Sequence, residues 1–367
     1  MAEAGHRAVN GKATMRDVAA RAGVSTATVS RVLSRPGLVA EVTRQAVLAA
    51  IEETGFLINQ QARNLRRQRT GTVVVVLPDI SNPFFSDVIE GLHETAQAAG
   101  YSVLIGDTHG DPVRLAEYFD AVASQRADGV IALQAAIPRR LLEDEARRRA
   151  TPLVMACEYL PGAGIPTVRI DNVAAAEGAV LHLAALGHRR IAHLAGPQSM
   201  VLGPDRHAGY LRALRGSFLP VEDGLVAEGD FSIASGEALT AGLLRQAEPP
   251  TAIFASNDEM ALGALIALAA AGLKVPDDVS VVGFDDIRFA RTCTPALTTV
   301  HQPRRAIGEL AMAKLLAVIA GLVPAQIETV LPAELVERGS TAVCNRLHSG
   351  QASITGEKPV ARGRRSQ

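Results

Sequence analysis

Apolar residues fall at helical spacing in three short stretches near the start of the chain. In the first, Arg16 to Ala22, the residues Val18, Ala19 and Ala22 share one face, and Gly23 breaks the helix where a left-handed residue costs least. Ser25 stands at an N-cap position before a second helix, Thr26 to Leu33, which buries Val29, Val32 and Leu33 and turns Thr26, Ala27 and Arg31 outward. Pro36 and Gly37 close it. A third helix over Thr43 to Glu53 lines up Ala46, Val47, Ala50 and Ile51, so three helices can share one small core. Beyond Gly55 the chain turns polar and basic from Asn59 to Arg69, the composition of a linker.

From Gly71 the pattern changes to short β-branched runs alternating with helical segments, which predicts parallel sheets built from strand-helix-strand units. One series of strands covers Thr72 to Leu77, Tyr101 to Gly106, Gly129 to Leu133 and Pro152 to Cys157, with helices over Phe85 to Ala99 and Leu115 to Ser124. A second covers Arg190 to Ala195, Leu225 to Glu228, Thr251 to Ala255 and Val279 to Gly283. Its helices run over Val173 to Leu186, Ala208 to Gly216, Ala234 to Leu244 and Glu259 to Ala271. Two doubly wound halves follow, with a ligand expected beyond the carboxyl ends of the strands, in the cleft between them.

Length and composition fit this division. At 367 residues the chain is too long for one ordinary domain. Although 48% of it is apolar, no run approaches the roughly 18 to 20 residues a spanning helix needs, so no membrane is expected. Met1 to Ala13 carries His6, Arg7 and Lys12 with no apolar stretch behind them, which reads as a disordered cytoplasmic leader rather than an export signal. Cys157, Cys293 and Cys344 are far apart and odd in number, so reduced thiols are expected, with neither a disulfide framework nor a metal site. The net charge of −1 hides an asymmetry: between Lys12 and Thr70 ten Lys or Arg face four acids, a net of +6. A basic module on an acidic body points to a polyanion partner for the module alone.

The run Thr14-Met-Arg-Asp-Val-Ala-Ala-Arg-Ala-Gly-Val-Ser-Thr-Ala-Thr-Val-Ser-Arg-Val-Leu33 resembles the helix-turn-helix of the lactose and galactose repressor family almost residue for residue. Gln61-Ala62-Arg63-Asn64-Leu65 is similar to that family's hinge helix, and the body resembles a periplasmic-type sugar-binding fold, so the likeness extends to about Thr341. Leu77-Pro78-Asp79-Ile80, Asn82-Pro83-Phe84-Phe85-Ser86 and Pro166-Thr167-Val168-Arg169-Ile170-Asp171-Asn172 are most like the family's cytidine-repressor branch. The implied fold is an all-α helix-turn-helix domain followed by an α/β, periplasmic-binding-protein-like (type I) body of two doubly wound parallel-sheet lobes. It implies a disordered leader at 1–13, a helix-turn-helix domain at 14–58, a hinge helix or linker at 59–70, and a disordered tail at 345–367. The N-terminal lobe would take 71–172 with 302–332, and the C-terminal lobe 173–301 with 333–344.

The function implied is that of a transcription regulator, most simply a repressor, with an activator or dual regulator of the same family as the alternative. A helix entering the major groove presents its first exposed side chains to base edges, here Thr26 and Ala27, with Arg31 one turn on. Arg31 can pair bidentately with guanine; charge alone favours a solvated arginine, and its place after Thr26-Ala-Thr-Val-Ser30 reverses that preference. Thr14, Ser25 and Thr28 would cap helices or touch phosphates. In the hinge, Asn59, Ala62 and Arg63 would contact DNA and Leu65 matches the leucine that wedges into a central minor-groove step; packing of Leu65 against the third helix is the alternative. Two hinges must meet, so a homodimer on a pseudo-palindromic double-stranded operator follows.

For the cleft, the resemblance implies an effector with a polar ring, a nucleoside first and a sugar second. Phe84 and Phe85 offer faces for stacking; Phe85 alone could be core, but two adjacent phenylalanines are not expected to face inward together on one helix. Arg206 matches the family arginine that forks onto ligand hydroxyls or carboxylate, Asp285 the carboxylate that accepts from sugar hydroxyls, and Phe231 an aromatic that covers a base. Asp258, with Asn257, ends a strand and is either a ligand contact or the N-cap of the next helix. Cys157 departs from the aspartate or asparagine of relatives, leaving a polar contact missing or taken by Glu158. No cofactor and no catalysis are expected. Pro78-Asp79-Ile80-Ser81-Asn82-Pro83 stands where a nucleotide-binding enzyme would carry a glycine-rich turn, and His93, His182, His188, His193 and His301 have no paired nucleophile. An exported solute-binding protein would have no use for Thr14 to Arg69.

Overall fold

The computed structural model describes residues 13–56 and 69–344, which belong to two units divided between Thr70 and Gly71. The expected leader, the hinge residues 59–68 and the tail lie outside the described residues.

In the first unit, α1 (Met15–Arg21), α2 (Thr26–Ser34) and α3 (Glu41–Thr54) form as the periodicity predicts. Their ends are chemically marked. The Asp17 carboxylate accepts from both the Thr14 amide and the Thr14 hydroxyl at 2.7 Å, Ser25 Oγ accepts from the Thr28 amide at 3.1 Å, and Gly55 ends α3 with φ of +62°. Val18, Ala19, Val29, Val32, Val47 and Ala50 make the core, with Ile51 packed at its edge. Ala46, expected on the inner stripe of α3, is exposed, because the buried stripe is narrow and Ala46 lies one position off its line.

The second unit contains two six-stranded sheets. The first, in the order β11-β5-β4-β3-β1-β2, comprises β1 (Thr72–Leu77), β2 (Ser102–Asp107), β3 (Gly129–Ala132), β4 (Leu153–Ala156), β5 (Thr167–Ile170) and β11 (Glu328–Leu331), all parallel. The second, in the order β12-β10-β9-β8-β6-β7, comprises β6 (Ile191–Ala195), β7 (Val226–Glu228), β8 (Ala252–Ala255), β9 (Ser280–Asp285), β10 (Thr298–His301) and the antiparallel β12 (Glu334–Val336). The chain passes between lobes three times: after β5, after β10, and between β11 and β12.

Around the sheets lie α4 (Phe84–Ala98), α5 (Pro112–Ala123), α6 (Arg139–Glu143), α7 (Glu145–Ala150), α8 (Asn172–Ala185), α9 (Leu202–Gly216), α10 (Ile233–Leu243), α11 (Asp258–Ala270) and α12 (Arg304–Ile319). The sequence pattern places α9 from Ala208 only, yet the helix starts six residues earlier because Gly203 and Pro204 fall in its first turn, where no intrahelical amide bond is lost. It also leaves β5, β10, β11, β12 and α12 unassigned. The edge strands β11 and β12 are short and partly exposed, without the apolar run of a central strand.

Among the described residues three helix pairs pack backbone to backbone, one of them α8 with α9 through Gly209. A Cβ at Gly308 of α12 would stand 2.1 Å from the Val88 carbonyl oxygen of α4, and one at Gly91 2.2 Å from that of Arg305. Gly236 of α10 and Gly263 of α11 repeat this against Met260 and Ile233. Alanine favours a helix over glycine by about 1 kcal/mol, yet Gly308→Ala is expected to destabilise by roughly 1–3 kcal/mol through overpacking. A denaturant midpoint that stayed level or rose would show that α4 and α12 separate without cost.

Candidate nucleic-acid interface and ligand cleft

On α2, Thr26, Ala27 and Arg31 are exposed, and Val29 and Val32 anchor the opposite face in the core. Ser25 is exposed too, its hydroxyl 3.0 Å from the half-buried Thr28 hydroxyl, so both cap the helix from within the unit. At α1 the direction is reversed, Thr14 donating its amide and hydroxyl to the Asp17 carboxylate. Arg21 pairs with Glu53 at 2.5 Å and Arg44 with Glu41, whereas no acid among the described residues pairs with Arg31. The outward face of α2 thus joins a helix N-terminus, where backbone amides and the helix dipole favour anions, to a guanidinium in the helix's last turn that pairs with no acid among the described residues. Asn59, Ala62, Arg63 and Leu65 lie outside the described residues.

In the second unit a cleft of about 460 Å³, open to solvent, gathers residues from both lobes at the carboxyl ends of their strands. Its walls include Phe84, Phe85, Cys157, Arg206, Phe231, Asn257 and Asp285, seven of the eight residues expected there, together with Glu158. Pro78, Asn82, Leu133, Met200 and Leu202 complete it. These apolar and loop positions carry no chemical signature that a sequence could reveal.

The eighth, Asp258, is corrected. It is fully buried, its carboxylate accepting from Thr299 Oγ1 at 2.6 Å and the Ile287 amide at 2.8 Å inside the C-terminal lobe. Nor is it the cap: Asn257 caps α11, accepting from the Met260 amide at 2.9 Å and donating to the Phe231 carbonyl at 2.9 Å. The expectation about the paired phenylalanines is corrected as well. Phe84 and Phe85 are both buried, edge to face with centroids 5.2 Å apart, and both touch the cleft. They occupy the first turn of α4, whose end faces the cleft, so burial there is not confined to one helical stripe.

Arg206 organises the polar side of the cleft. Its Nε donates to Asn172 Oδ1 at 3.0 Å, Nη1 donates to the Ser256 carbonyl, Nη2 lies 3.6 Å from Asp285, and its plane covers the Phe284 ring at 3.8 Å. Asp285 also accepts from Gln302 Nε2 at 2.7 Å, and its carbonyl accepts from Arg304. Burial pushes the Asp285 carboxyl up to about 6 against the pull of Arg206 and Arg304. Burial likewise raises Glu158 to about 7, even though its Oε2 accepts from the Ala135 amide at 2.7 Å. The Cys157 thiol is raised too, first by burial and then by Glu158, which leaves it an unreactive small contact. Three cleft residues hold positive φ without being glycine: Cys157 at +68°, Phe231 at +69° and Asp285 at +119°. Such strain of order 1–3 kcal/mol per residue gathers at binding sites. The Phe231 ring closes on Gly196, where a Cβ would meet it at 2.3 Å.

The lobes are also linked around the cleft. Asn172 and Gln302 sit at two of the chain crossings, Arg304 of α12 joins Asp87 of α4 to Asp285, and the Tyr159 hydroxyl donates to Asp205 at 3.1 Å. The sequence reading places crossings near these residues but gives them no role.

Two family descriptions match the chain: "Bacterial regulatory proteins, lacI family" over residues 14–59 and "Periplasmic binding protein-like domain" over residues 180–341. The HTH-type transcriptional repressor CytR of Escherichia coli (strain K12) is 42% identical over 329 residues, 90% of this chain and 96% of the relative. The chain belongs to the lacI family of bacterial regulatory proteins. Another lacI-type relative, the transcriptional repressor PurR of Pectobacterium carotovorum subsp. carotovorum (strain PC1), is 37% identical over 83% of this chain and 89% of its own. Among solved structures, the lac repressor dimer bound to operator and the anti-inducer ONPF superposes with a TM-score of 0.82 at 30% identity, over 90% of this chain and 100% of the other. The complex of the regulator CelR with cellobiose gives 0.68 at 34% identity over the same shares. As a lacI-family member the chain is a ligand-responsive, DNA-binding transcriptional repressor, built as a helix-turn-helix unit and a two-sheet body of periplasmic-binding-protein type. No helix among the described residues is long and apolar enough to cross a membrane.

Proposed function

We propose that the chain represses transcription in the cytoplasm as a homodimer on a pseudo-palindromic operator, and that a nucleoside in the cleft alters its hold on DNA. The observation that carries the DNA side is the outward face of α2, with Thr26 and Ala27 at the N-terminus and, one turn on, Arg31, with which no acid among the described residues pairs. Thr14, Ser25 and Thr28 serve there mainly as caps, and the hinge residues Asn59, Ala62, Arg63 and Leu65 take the minor groove. A two-fold protein reads two half-sites, and the lac repressor on its operator is itself a dimer.

The body serves as a binding site rather than a catalytic one: its cleft joins aromatic faces to one guanidinium and two carboxyls, a set suited to a ring that bears hydroxyls. Lobes 71–172 with 302–332 and 173–301 with 333–344 would change their closure when it fills, and so the spacing of the two hinges. Only a ligand with different affinity for the two closures can do this. A sugar is the second reading, favoured by the cellobiose of the CelR complex and the ribose bound to a lacI-family regulator from Enterococcus faecium.

The test is selection from randomised duplex DNA by the native chain and by Arg31→Ala, with and without nucleosides and sugars. The native chain is expected to enrich a pseudo-palindrome. The variant should lose roughly 1–3 kcal/mol of discrimination at one symmetric base pair. No enrichment under any of these conditions would overturn the reading.

A further inference from the structure

The proposal concerns Glu158, a carboxyl that nothing else in the cleft explains. Only 3% of the residue is exposed, yet it lines the cleft beside Phe84 and Arg206. One oxygen, Oε2, is held by the Ala135 amide at 2.7 Å, which fixes the plane of the group. Among the described residues no hydrogen bond reaches Oε1, and no cation pairs with the carboxyl directly. That second oxygen opens on the cleft, where a bound molecule can take up its free hydrogen-bonding capacity. We infer that Glu158 determines effector specificity by pairing with a nucleobase edge that carries one hydrogen-bond acceptor next to one donor.

This rests on the nucleoside reading and narrows it. A neutral carboxyl offers an O–H donor and a carbonyl acceptor side by side. A cytosine or adenine edge, ring nitrogen beside exocyclic amine, meets both, as does the lactam edge of uracil. An ionised carboxylate only accepts and would select an edge with two donors. The charges around Glu158 are few: Arg206 of α9 favours its anion, the Cys157 thiol stands beside it uncharged, and Asp285 on the C-terminal lobe is engaged with Gln302 and Arg206. Burial outweighs them and holds the acid up to about 7, so above neutral pH the nucleoside must recruit a proton in order to bind.

Calorimetric titration of the full chain with cytidine, adenosine, uridine and guanosine, with ribose for comparison, between pH 6.5 and 8.5 tests this. For a donor–acceptor nucleoside the native affinity is expected to fall by up to about tenfold per pH unit above 7, the limit for uptake of one proton. Glu158→Gln keeps the Ala135 contact and a donor beside an acceptor; it should bind within a few-fold of native and lose the pH dependence. Glu158→Leu should weaken binding at least about tenfold, the cost of one unpaired polar contact. Native affinity in Glu158→Leu, an unchanged pH slope in Glu158→Gln, or equal Glu158 dependence for ribose would overturn the assignment and leave the nucleoside reading intact. If no nucleoside binds the native chain, both fall.

Discussion

Arg206→Ala is expected to cost the body roughly 3–5 kcal/mol of folding free energy, the usual penalty for removing one partner of a buried ion pair, and to erase the response of operator binding to a cleft ligand. The arginine reaches three separate parts of the site: Asn172 at a lobe crossing, the Ser256 carbonyl at the end of β8, and Asp285 at the end of β9. Its loss leaves the Ser256 carbonyl and the Asn172 amide oxygen buried without this donor, and Asp285 with Arg304 and Gln302 alone. Asp285, already pushed up to about 6, should then hold its proton well past neutral pH. Arg206→Lys separates the two consequences. A lysine keeps the charge but cannot fork to three acceptors in fixed directions, so it should restore much of the stability and little of the effector response. Denaturant midpoints and operator titrations with and without effector would check both. A Lys variant that responds like the native chain would mean that Arg206 acts through charge alone.

How much of this could be read before the structure depends on the kind of signal each residue leaves. Helices α1 to α3 and the central strands β1, β3, β6 and β8 announce themselves because one face or the whole element is buried, and burial writes a period into the sequence. Strands β11 and β12 leave none: they are short sheet edges, β11 joined to β5 of the N-terminal half and β12 antiparallel to β10. Helix α12 buries Ile307, Ala311, Met312 and Leu315 at helical spacing, but Gly308 and the buried Arg304 interrupt its inner face where it meets α4, which blurs the period. The strand–helix pattern places the cleft, but its residues are reachable only through family resemblance, since Phe84, Arg206 and Asp285 are far apart in sequence. That route carried Asp258 along with them, because a carboxylate next to a cleft residue and one inside the lobe look alike until Thr299 and Ile287 are in view.

His193→Phe is expected to protect the body against acid. His193 lies fully buried in β6, stacked on Phe254, Tyr210 and His207 with centroids 5.0, 4.8 and 5.5 Å away. Its Nδ1 donates to the Phe254 carbonyl at 3.2 Å, whereas Nε2 is buried with no partner among the described residues. Burial, against the Phe254 contact, holds its pKa down to about 3. The unfolded chain therefore binds a proton at this residue as pH falls below about 6.5 while the folded chain does not, so stability is lost progressively from there toward pH 3. A shift of that size corresponds to roughly 5 kcal/mol at its full extent. Glu158 and Asp285 act in the opposite direction. Their raised folded-state values make the folded chain the better proton binder, so their contribution falls as pH rises from about 4 toward 6 or 7. The native profile mixes these opposing slopes, and only the difference between native and His193→Phe isolates the histidine. Phenylalanine fits the aromatic stack and removes the orphaned Nε2 at the cost of one hydrogen bond, about 1 kcal/mol. The variant should therefore be near native at pH 7 and clearly more stable by pH 4.5. If the two denaturant midpoints fall in parallel between pH 6.5 and pH 4.5, His193 is not the group that acid attacks.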